Sequence, residues 1–270
     1  MSLTYVEPPH HSTRLPAFVK CLLVIPTIIF ALYMFVVSLV LGPLILLGLY
    51  LFKRDVVTSA LTPASLESIE KNPRYRDAAL LERVWKHPVG QQYLSGSLEF
   101  QFREGYCAPT TLRNVLKSIP TIPSDKIPSA KAGPSTASQY QVKIDAIGYT
   151  KSTIVYGSEG YAAFLEAIKL ANNPQYRVAL NFLHAALFGM GGPKYLPHVA
   201  LGAILGGHFS NIVGYLEDVD MVAVFDVNED FGPYLVDSKR LYSAVRASDV
   251  QSGRTRALIV SQILDSSVQA

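Results

Sequence analysis

The longest uncharged stretch of this chain, residues 21–52, constrains its fold more than any other sequence feature. Lys20 precedes it, Lys53 follows it, and none of the 32 residues between them carries a charge. As a helix rising about 1.5 Å per residue, the stretch would reach ~48 Å, more than the ~30 Å hydrocarbon core of a bilayer. It therefore predicts one transmembrane helix and a single-pass membrane protein. A hairpin bent at Gly42–Pro43 is the lesser interpretation, because these residues would kink a helix.

The residues that flank this stretch do not orient it in the membrane. Arg14 and Lys20 lie before it, and Lys53 and Arg54 lie after it. Because the positive charges at the two ends are equal in number, the positive-inside rule does not predict an orientation. A cleaved signal peptide is disfavoured, because the stretch is too long and has no Ala-x-Ala exit. We expect the lipid bilayer to be a partner, with the side that holds the rest of the chain left open.

The sequence divides into three regions. Its mean hydropathy of +0.23 is high for a soluble protein, and the excess comes from the apolar stretch. We predict a membrane anchor at residues 1–55, a linker and amphipathic helix at 56–94, and a catalytic domain at 95–270. Residues 56–270 carry 20 basic and 19 acidic side chains, so no basic face for nucleic acid is implied.

Periodicity and turn residues predict helices first and strands later in the chain. The predicted helices cover residues 66–87, 108–118 and 160–171, the strands residues 177–182, 208–215, 221–226 and 257–263, and polar linker or loop segments residues 55–68 and 121–139. This order predicts an α+β domain in which the helix after Cys107 packs on an antiparallel sheet.

Cys107 is the candidate nucleophile, because the chain has two cysteines and the other lies in the apolar stretch. Pro109 suits the first turn of a helix. A cysteine at a helix N-terminus lies at the positive end of the dipole, which lowers the thiol pKa and favours the thiolate. Gln101, six residues upstream, could stabilise an oxyanion beside the Cys107 backbone N–H. The alternative is that Cys107 is only a small buried hydrophobic residue.

His208 and Asp226 are the candidate base and its orienting carboxylate. The run between them reads as two apolar strands around a polar turn at residues 216–220. If the pairing is centred on Glu217, the two side chains lie directly opposite on one face, with Cβ atoms about 4.5–5.5 Å apart. A carboxylate there would fix the tautomer and orientation of the imidazole. A register slip of one residue would send the two side chains to opposite faces.

The other histidines of the domain lack such partners. His184 lies in an apolar run and His198 in a loop that contains Gly and Pro, so we interpret both as structural or solvated residues. No metal-ligand spacing links the histidines to one another. We therefore predict no metal site in the protein and no cofactor for catalysis.

Three segments of the sequence resemble phytochelatin synthases, the glutathione γ-glutamylcysteinyltransferases. GGHFSNIVGYLEDVDMVAVFDV is similar to their His and Asp region, where a Gly-His-Phe-Ser-Pro-like run precedes an aliphatic strand ending in Leu-Asp-Val. The segment with Gln101 and Cys107 is similar as well. DVQSGRTRAL matches the family pattern Asp-x-x-Ser/Thr-Gly-Lys/Arg-x-Arg. The resemblance covers residues 95–265 and implies a papain-like cysteine peptidase fold, in a short catalytic core like that of the prokaryotic members.

The resemblance also implies a substrate pocket. The family positions that match Asp249 and Arg256 hold the α-amino and α-carboxylate groups of the γ-glutamyl moiety. Arg254 belongs to the same motif and is expected to bind substrate as well. Without the resemblance, such an Asp/Arg pair would be read as a surface ion pair. Glu229 stands where the family commonly has Arg, which predicts a weakened site for a second glutathione.

The predicted function is thiol-dependent acyl transfer on glutathione or a related γ-glutamyl peptide. Cleavage of the Cys–Gly bond through a γ-glutamylcysteinyl thioester would release glycine, mainly by hydrolysis, with some transfer to form phytochelatin. Heavy-metal ions would enter only as thiolate complexes of the substrate. Two alternatives remain: a papain-like peptidase acting on another peptide, and a catalytically inactive, membrane-tethered binding protein.

Overall fold

The structure of the protein is a computed structural model that describes residues 2–11, 17–131, 133, 135–190 and 197–264, apart from some side chains of the first helix and that of His198. Its helices are α1 (Ala17–Phe52), α2 (Arg54–Ala64), α3 (Ala78–Lys86), α4 (Pro88–Ser95), α5 (Cys107–Lys117), α6 (Ala137–Asp145), α7 (Tyr161–Lys169), α8 (His184–Phe188), α9 (Pro197–Leu205) and α10 (Ser238–Arg246). Its strands are β1 (Thr150–Tyr156), β2 (Tyr176–Leu183), β3 (Gly207–Leu216), β4 (Met221–Phe225), β5 (Pro233–Asp237), β6 (Ser248–Asp249), β7 (Arg254–Thr255) and β8 (Ala257–Ile263).

The core of the protein is a six-stranded antiparallel sheet in the order β1-β8-β2-β3-β4-β5. Alternate residues of each strand point to opposite faces, and helices cover both faces. Leu180, Ile212 and Val224 face a cluster that includes α7, α8 and α10. Ala179 and Phe209 face α5 and α6 on the other side. The predicted α+β class is therefore confirmed.

The hairpin of β3 and β4 does not have the predicted register. Leu216 pairs with Met221, Ile212 pairs with Val224, and a β-bulge lies between Ile212 and Gly214. The polar turn that joins the strands contains Asp220 in the left-handed conformation, with φ of 52°. The expectation that His208 and Asp226 are directly paired is wrong, because it assumed a regular ladder.

Helix α1 spans the apolar stretch, and its C-terminal half contacts the rest of the protein. Leu46 and Leu49 pack against the core. Gly42 lies so close to Pro197 of α9 that an added Cβ would meet the proline Cβ at 2.5 Å. Among the residues whose placement is described, no helix combines the length and hydropathy needed to cross a bilayer. The predicted transmembrane helix is thus not confirmed.

Two segments before the sheet differ from the prediction. The linker expected at residues 55–68 is largely helix α2, because Val57, Ala60 and Ala64 recur at helical spacing and are buried. The helix expected at residues 66–87 forms only as α3. Its start is fixed by Asp77, whose side chain accepts a hydrogen bond from the Leu80 N–H at 3.0 Å.

Residues 2–11, which we call the N-terminal arm, run across α3 and α4. The Tyr5 ring stacks on that of Trp85 with centroids 5.0 Å apart. Leu3 donates its N–H to Gln91 Oε1 at 2.6 Å and accepts from Gln91 Nε2 at 2.8 Å. The side-chain amide of Gln91 thus binds the arm as a neighbouring strand would.

Candidate active site

Cys107 is the first residue of α5, in agreement with the predicted helix start. The helix forms here because Pro109 tolerates the first turn, while Leu112 and Leu116 bury an apolar stripe against the sheet. The thiol is free, and it lines a cleft. The sequence therefore places a reactive side chain at the positive end of a helix that is anchored in the core.

His208 is the second residue of β3, and its imidazole binds Asp226. The distance from His208 Nε2 to Asp226 Oδ1 is 2.6 Å. The Asn228 N–H donates to the same Oδ1 at 2.8 Å, and the carboxylate is completely buried. Because Nε2 is engaged by the carboxylate, Nδ1 is the ring nitrogen left to face the thiol.

The three side chains shift one another's ionisation. Burial raises the pKa of Cys107, but the hydrogen bond and charge of His208, together with the backbone N–H groups of Phe209 and Ala108, bring it below its ordinary value. Burial lowers the pKa of His208, whereas Asp226 and then Cys107 raise it by more, so that it ends above its ordinary value. The arrangement thus favours a thiolate and an imidazolium ion over a neutral pair.

Gln101 lies in the same cleft as Cys107. Its backbone N–H donates to the Val227 carbonyl at 2.6 Å, which ties it to the segment after Asp226. Its side chain is buried, and its Oε1 has no hydrogen-bond partner among the described residues. A buried amide whose oxygen has no partner is suited to bind a group that enters the cleft.

Asn114, in the middle of α5, connects the three segments that carry these side chains. Its Oδ1 accepts from the Glu99 N–H at 2.9 Å, and its Nδ2 donates to the Glu99 carbonyl at 3.0 Å. Nδ2 also lies 3.3 Å from Asn211 Oδ1 on β3, and Asn211 Nδ2 donates to the Thr111 carbonyl at 3.1 Å. These bonds fix the Gln101 segment, the nucleophile helix and the His208 strand relative to one another.

The cleft has a volume of about 750 Å³ and follows one end of the sheet. At this end β2 and β4 finish, while β3 and β8 begin. Arg256 directly precedes β8, which lies two strands away from β3, the strand of His208. Asn228 follows β4, which is the neighbour of β3 on the other side. Because neighbouring strands are about 4.8 Å apart, the two residues mark opposite ends of the cleft with the thiol between them.

Arg256 and Asp249 line one end of the cleft. Arg256 is 2% exposed, its Nε has no partner among the described residues, and burial lowers its pKa while Asp249 opposes the shift. A Cβ at Gly207 would meet the guanidinium Nη1 at 2.4 Å, so only glycine leaves room for it. Asp249 accepts hydrogen bonds from the N–H groups of Gln251 and Ser252 at 3.2 and 3.3 Å. A buried guanidinium beside a carboxylate can bind a zwitterionic group.

Arg254 does not join this pair. Its guanidinium lies 4.9 Å from the centroid of the Tyr156 ring, and the residue is exposed. A cation–π contact holds it at the surface, and its role in substrate binding stays a prediction.

His184 lines the cleft, whereas a structural or solvated role is predicted for it from the sequence. Its ring centroid lies 5.6 Å from that of His208, 4.5 Å from that of Phe188 and 4.7 Å from that of Phe231. Burial and the charge of His208 lower its pKa to about 4, and Asp226 only partly opposes this. The imidazole is therefore neutral at pH 7. The apolar sequence around His184 gives no sign of this role. His184 reaches the cleft because it directly follows the end of β2.

Asn181, Asn228 and Phe231 are further cleft residues that sequence reasoning missed. His198 belongs to α9 and not to a loop, and its side chain lies outside the described residues. In the part of the chain that is described, no group of three or more His, Cys, Asp or Glu side chains is arranged to hold a metal ion. The absence of a metal requirement stays a prediction.

Fold and site together define an α+β protein with a thiol, an imidazole and a carboxylate clustered at the end of an antiparallel sheet. A family model described as phytochelatin synthase matches residues 196–258. The match supports the family resemblance for this region, which contains His208, Asp226, Asp249 and Arg256. Cys107 and Gln101 lie outside the matched residues. A search of curated proteins found no match.

Phytochelatin synthases are enzymes that transfer γ-glutamylcysteine from glutathione. Residues 196–258 of this chain are therefore similar to enzymes of γ-glutamylcysteine transfer.

Proposed function

We propose that the protein cleaves the Cys–Gly bond of glutathione through a thioester on Cys107 and releases glycine. The observation that carries this proposal is the coincidence, in one cleft, of the Cys107–His208–Asp226 cluster with the buried guanidinium of Arg256. The first supplies acyl-transfer chemistry. The second selects a substrate with a carboxylate at a fixed distance from the reacting carbonyl.

The γ-glutamyl end of glutathione fits the Asp249 end of the cleft. Its α-carboxylate would pair with Arg256, and its α-ammonium group would pair with Asp249. Both charges of the pocket are then compensated, which a neutral peptide would not achieve. The Cys–Gly carbonyl would lie beside the thiol, and the glycine would extend toward Asn228.

In the acylation step, the Cys107 thiolate attacks the Cys–Gly carbonyl and a carbon–sulfur bond forms. The oxyanion is stabilised by the Cys107 N–H and by Gln101. As the carbon–nitrogen bond breaks, the His208 imidazolium gives its proton to the departing glycine nitrogen, while Asp226 keeps the ring oriented.

In the second step, neutral His208 takes a proton from water, and the hydroxide attacks the thioester. The carbon–sulfur bond breaks, γ-glutamylcysteine leaves, and the thiolate–imidazolium pair is restored. A second glutathione could replace water and yield phytochelatin. The papain-like character of the fold is part of this proposal, since the nucleophile helix packs on an antiparallel sheet and the base lies on a strand.

The test is to incubate the full chain with glutathione and to measure glycine and γ-glutamylcysteine by mass spectrometry. The matched control substrate is the isomer with an α-linked glutamate, which has the same composition but moves the carboxylate away from Arg256. We expect glycine only from the γ-linked peptide, and none with Cys107→Ser. Equal cleavage of both isomers would favour a general peptidase. Glycine release by Cys107→Ser would refute the thioester.

A further inference from the structure

The N-terminal arm contacts Glu229, which follows the cleft residue Asn228 at the end opposite to Arg256. We propose that the arm forms a wall at the side where glycine leaves, and that it favours water over a second glutathione as the acyl acceptor. This inference rests on the proposed function, because it concerns the second step of that reaction.

Two contacts bring the tip of the arm to Glu229, which follows the cleft residue Asn228. The His11 N–H donates to Glu229 Oε2 at 3.0 Å, and His10 Nδ1 lies 3.4 Å from the same oxygen. His10 also contacts Glu7 of the arm through Nε2 at 3.3 Å. The arm therefore ends on a carboxylate that is next in sequence to a cleft residue.

Ring contacts extend this wall toward the nucleophile. The His10 ring lies edge-on to Phe100, with centroids 5.5 Å apart, and the His11 ring lies 5.6 Å from Phe102. Phe102 in turn lies 6.1 Å from Tyr106, the residue that precedes Cys107. Two histidine rings thus cover the aromatic side chains on both sides of Gln101 in sequence.

The arm is held mainly by contacts far from the cleft. Tyr5 stacks on Trp85, which is only 5% exposed, and Gln91 binds the Leu3 backbone with both the oxygen and the nitrogen of its side-chain amide. Changes at these distal residues can release the arm without altering any residue of the cleft. The position of the wall can therefore be tested separately from the chemistry.

The sheet end explains why this wall affects the acceptor. With the γ-glutamyl group held by Arg256, the leaving glycine and the incoming acceptor share the Asn228 side. A second glutathione must displace or pass the arm and approach Glu229. The Glu229 carboxylate would repel the two carboxylates of this glutathione. Water is small and uncharged, so it reaches the thioester unhindered.

The test compares three changes that release the arm: Tyr5→Ala, Gln91→Glu and removal of residues 2–11. In Gln91→Glu, a carboxylate replaces the amide that donates to the Leu3 and Trp85 carbonyls. Val6→Ala is the matched control, since Val6 lies on the arm and is 78% exposed. Trp85 is the only tryptophan of the chain, so its fluorescence reports whether the arm has left.

We expect the three changes to raise the ratio of phytochelatin to free γ-glutamylcysteine by roughly tenfold, the factor that about 1.4 kcal/mol of docking contributes. Val6→Ala should leave the ratio unchanged. An unchanged ratio in variants whose Trp85 emission shows a released arm would overturn the proposal.

Alkylation of Cys107 separates this inference from the proposed function. In a Cys21→Ser background, arm release should accelerate modification by a peptide-sized maleimide and leave the rate with iodoacetamide unchanged. If this holds but the full chain yields no glycine from glutathione, the wall stands and the proposed reaction fails. If both reagents react at unchanged rates, the wall itself is refuted.

Discussion

Asp226 Oδ1 lies 2.6 Å from His208 Nε2 although no rung of the β3–β4 ladder joins the two residues. The ladder ends at the pair Asn211 and Phe225, and the β-bulge before Gly214 shifts its register by one residue. Without that shift, the alternation of side chains would put the histidine and the carboxylate on opposite faces. The bulge therefore creates the pair, as bulges next to active sites commonly re-aim a side chain.

Replacing the carboxylate should move the pH dependence of glycine release. Because Cys107 has a lowered pKa and His208 a raised one, we expect activity to fall in acid, as the thiolate is protonated, and in base, as the imidazolium loses its proton. Asp226→Asn removes the main cause of the raised His208 pKa, so the alkaline limb should move to lower pH. The acid limb should move much less. Steady-state rates over a pH series check this, and an unmoved alkaline limb would contradict the ion-pair assignment.

Removing the Gln101 amide should slow the chemical step. If its side chain stabilises the oxyanion, Gln101→Ala should lower kcat by about 10²–10³-fold, the usual loss for one oxyanion donor. KM should change little, since the interaction forms only in the transition state. A rise in KM with unchanged kcat would instead make Gln101 a substrate-binding residue. Circular dichroism of the variant serves as the folding control.

Truncating Arg256 should weaken glutathione recognition. The substrate carboxylate would lose a buried partner, a cost of about 2–5 kcal/mol. Arg256→Ala should thus reduce kcat/KM by roughly 30-fold or more, at about 1.4 kcal/mol per tenfold. Arg254→Ala is the comparison, because Arg254 belongs to the same motif but contacts Tyr156 on the surface. Equal losses in the two variants would show that the pocket has been assigned to the wrong arginine.

A single methyl group at Gly207 should have a similar but smaller effect. Its Cβ would lie 2.4 Å from the Arg256 guanidinium, and the displaced group would no longer meet the substrate carboxylate. We expect Gly207→Ala to raise KM by roughly tenfold, which corresponds to about 1.4 kcal/mol. Gly202→Ala is the matched control, because an added Cβ there meets nothing within 4 Å. Unchanged KM in Gly207→Ala would mean that Arg256 can bind substrate from a second position.

Local sequence signals were sufficient for the parts of the site that depend on one element. Pro109 and the apolar stripe after it predict helix α5, and the strand predicted at residues 257–263 agrees with β8. The contacts between elements could not be read in the same way. The bulge near Gly214 depends on how β3 meets β4, and His184 reaches the cleft only because β2 ends there.

The N-terminal region shows the same limit at larger scale. An uncharged stretch of this length predicts a membrane span from hydropathy alone. The docking of residues 2–11 depends instead on one aromatic stack and one glutamine, Tyr5 on Trp85 and Gln91 on Leu3. Such pairs have no local signature, because the partners are separated by more than seventy residues.

The hydrogen bonds of Asn114 determine how often the segment that carries Gln101 separates from the nucleophile helix. Since one amide holds the Glu99 backbone to the nucleophile helix, opening of that short segment would carry Gln101 away while the sheet stays folded. The Glu99 amide proton, protected by Asn114 in the closed state, would exchange with solvent during each opening. The exchange rate of this proton would therefore measure how often Gln101 leaves its position in an otherwise native protein.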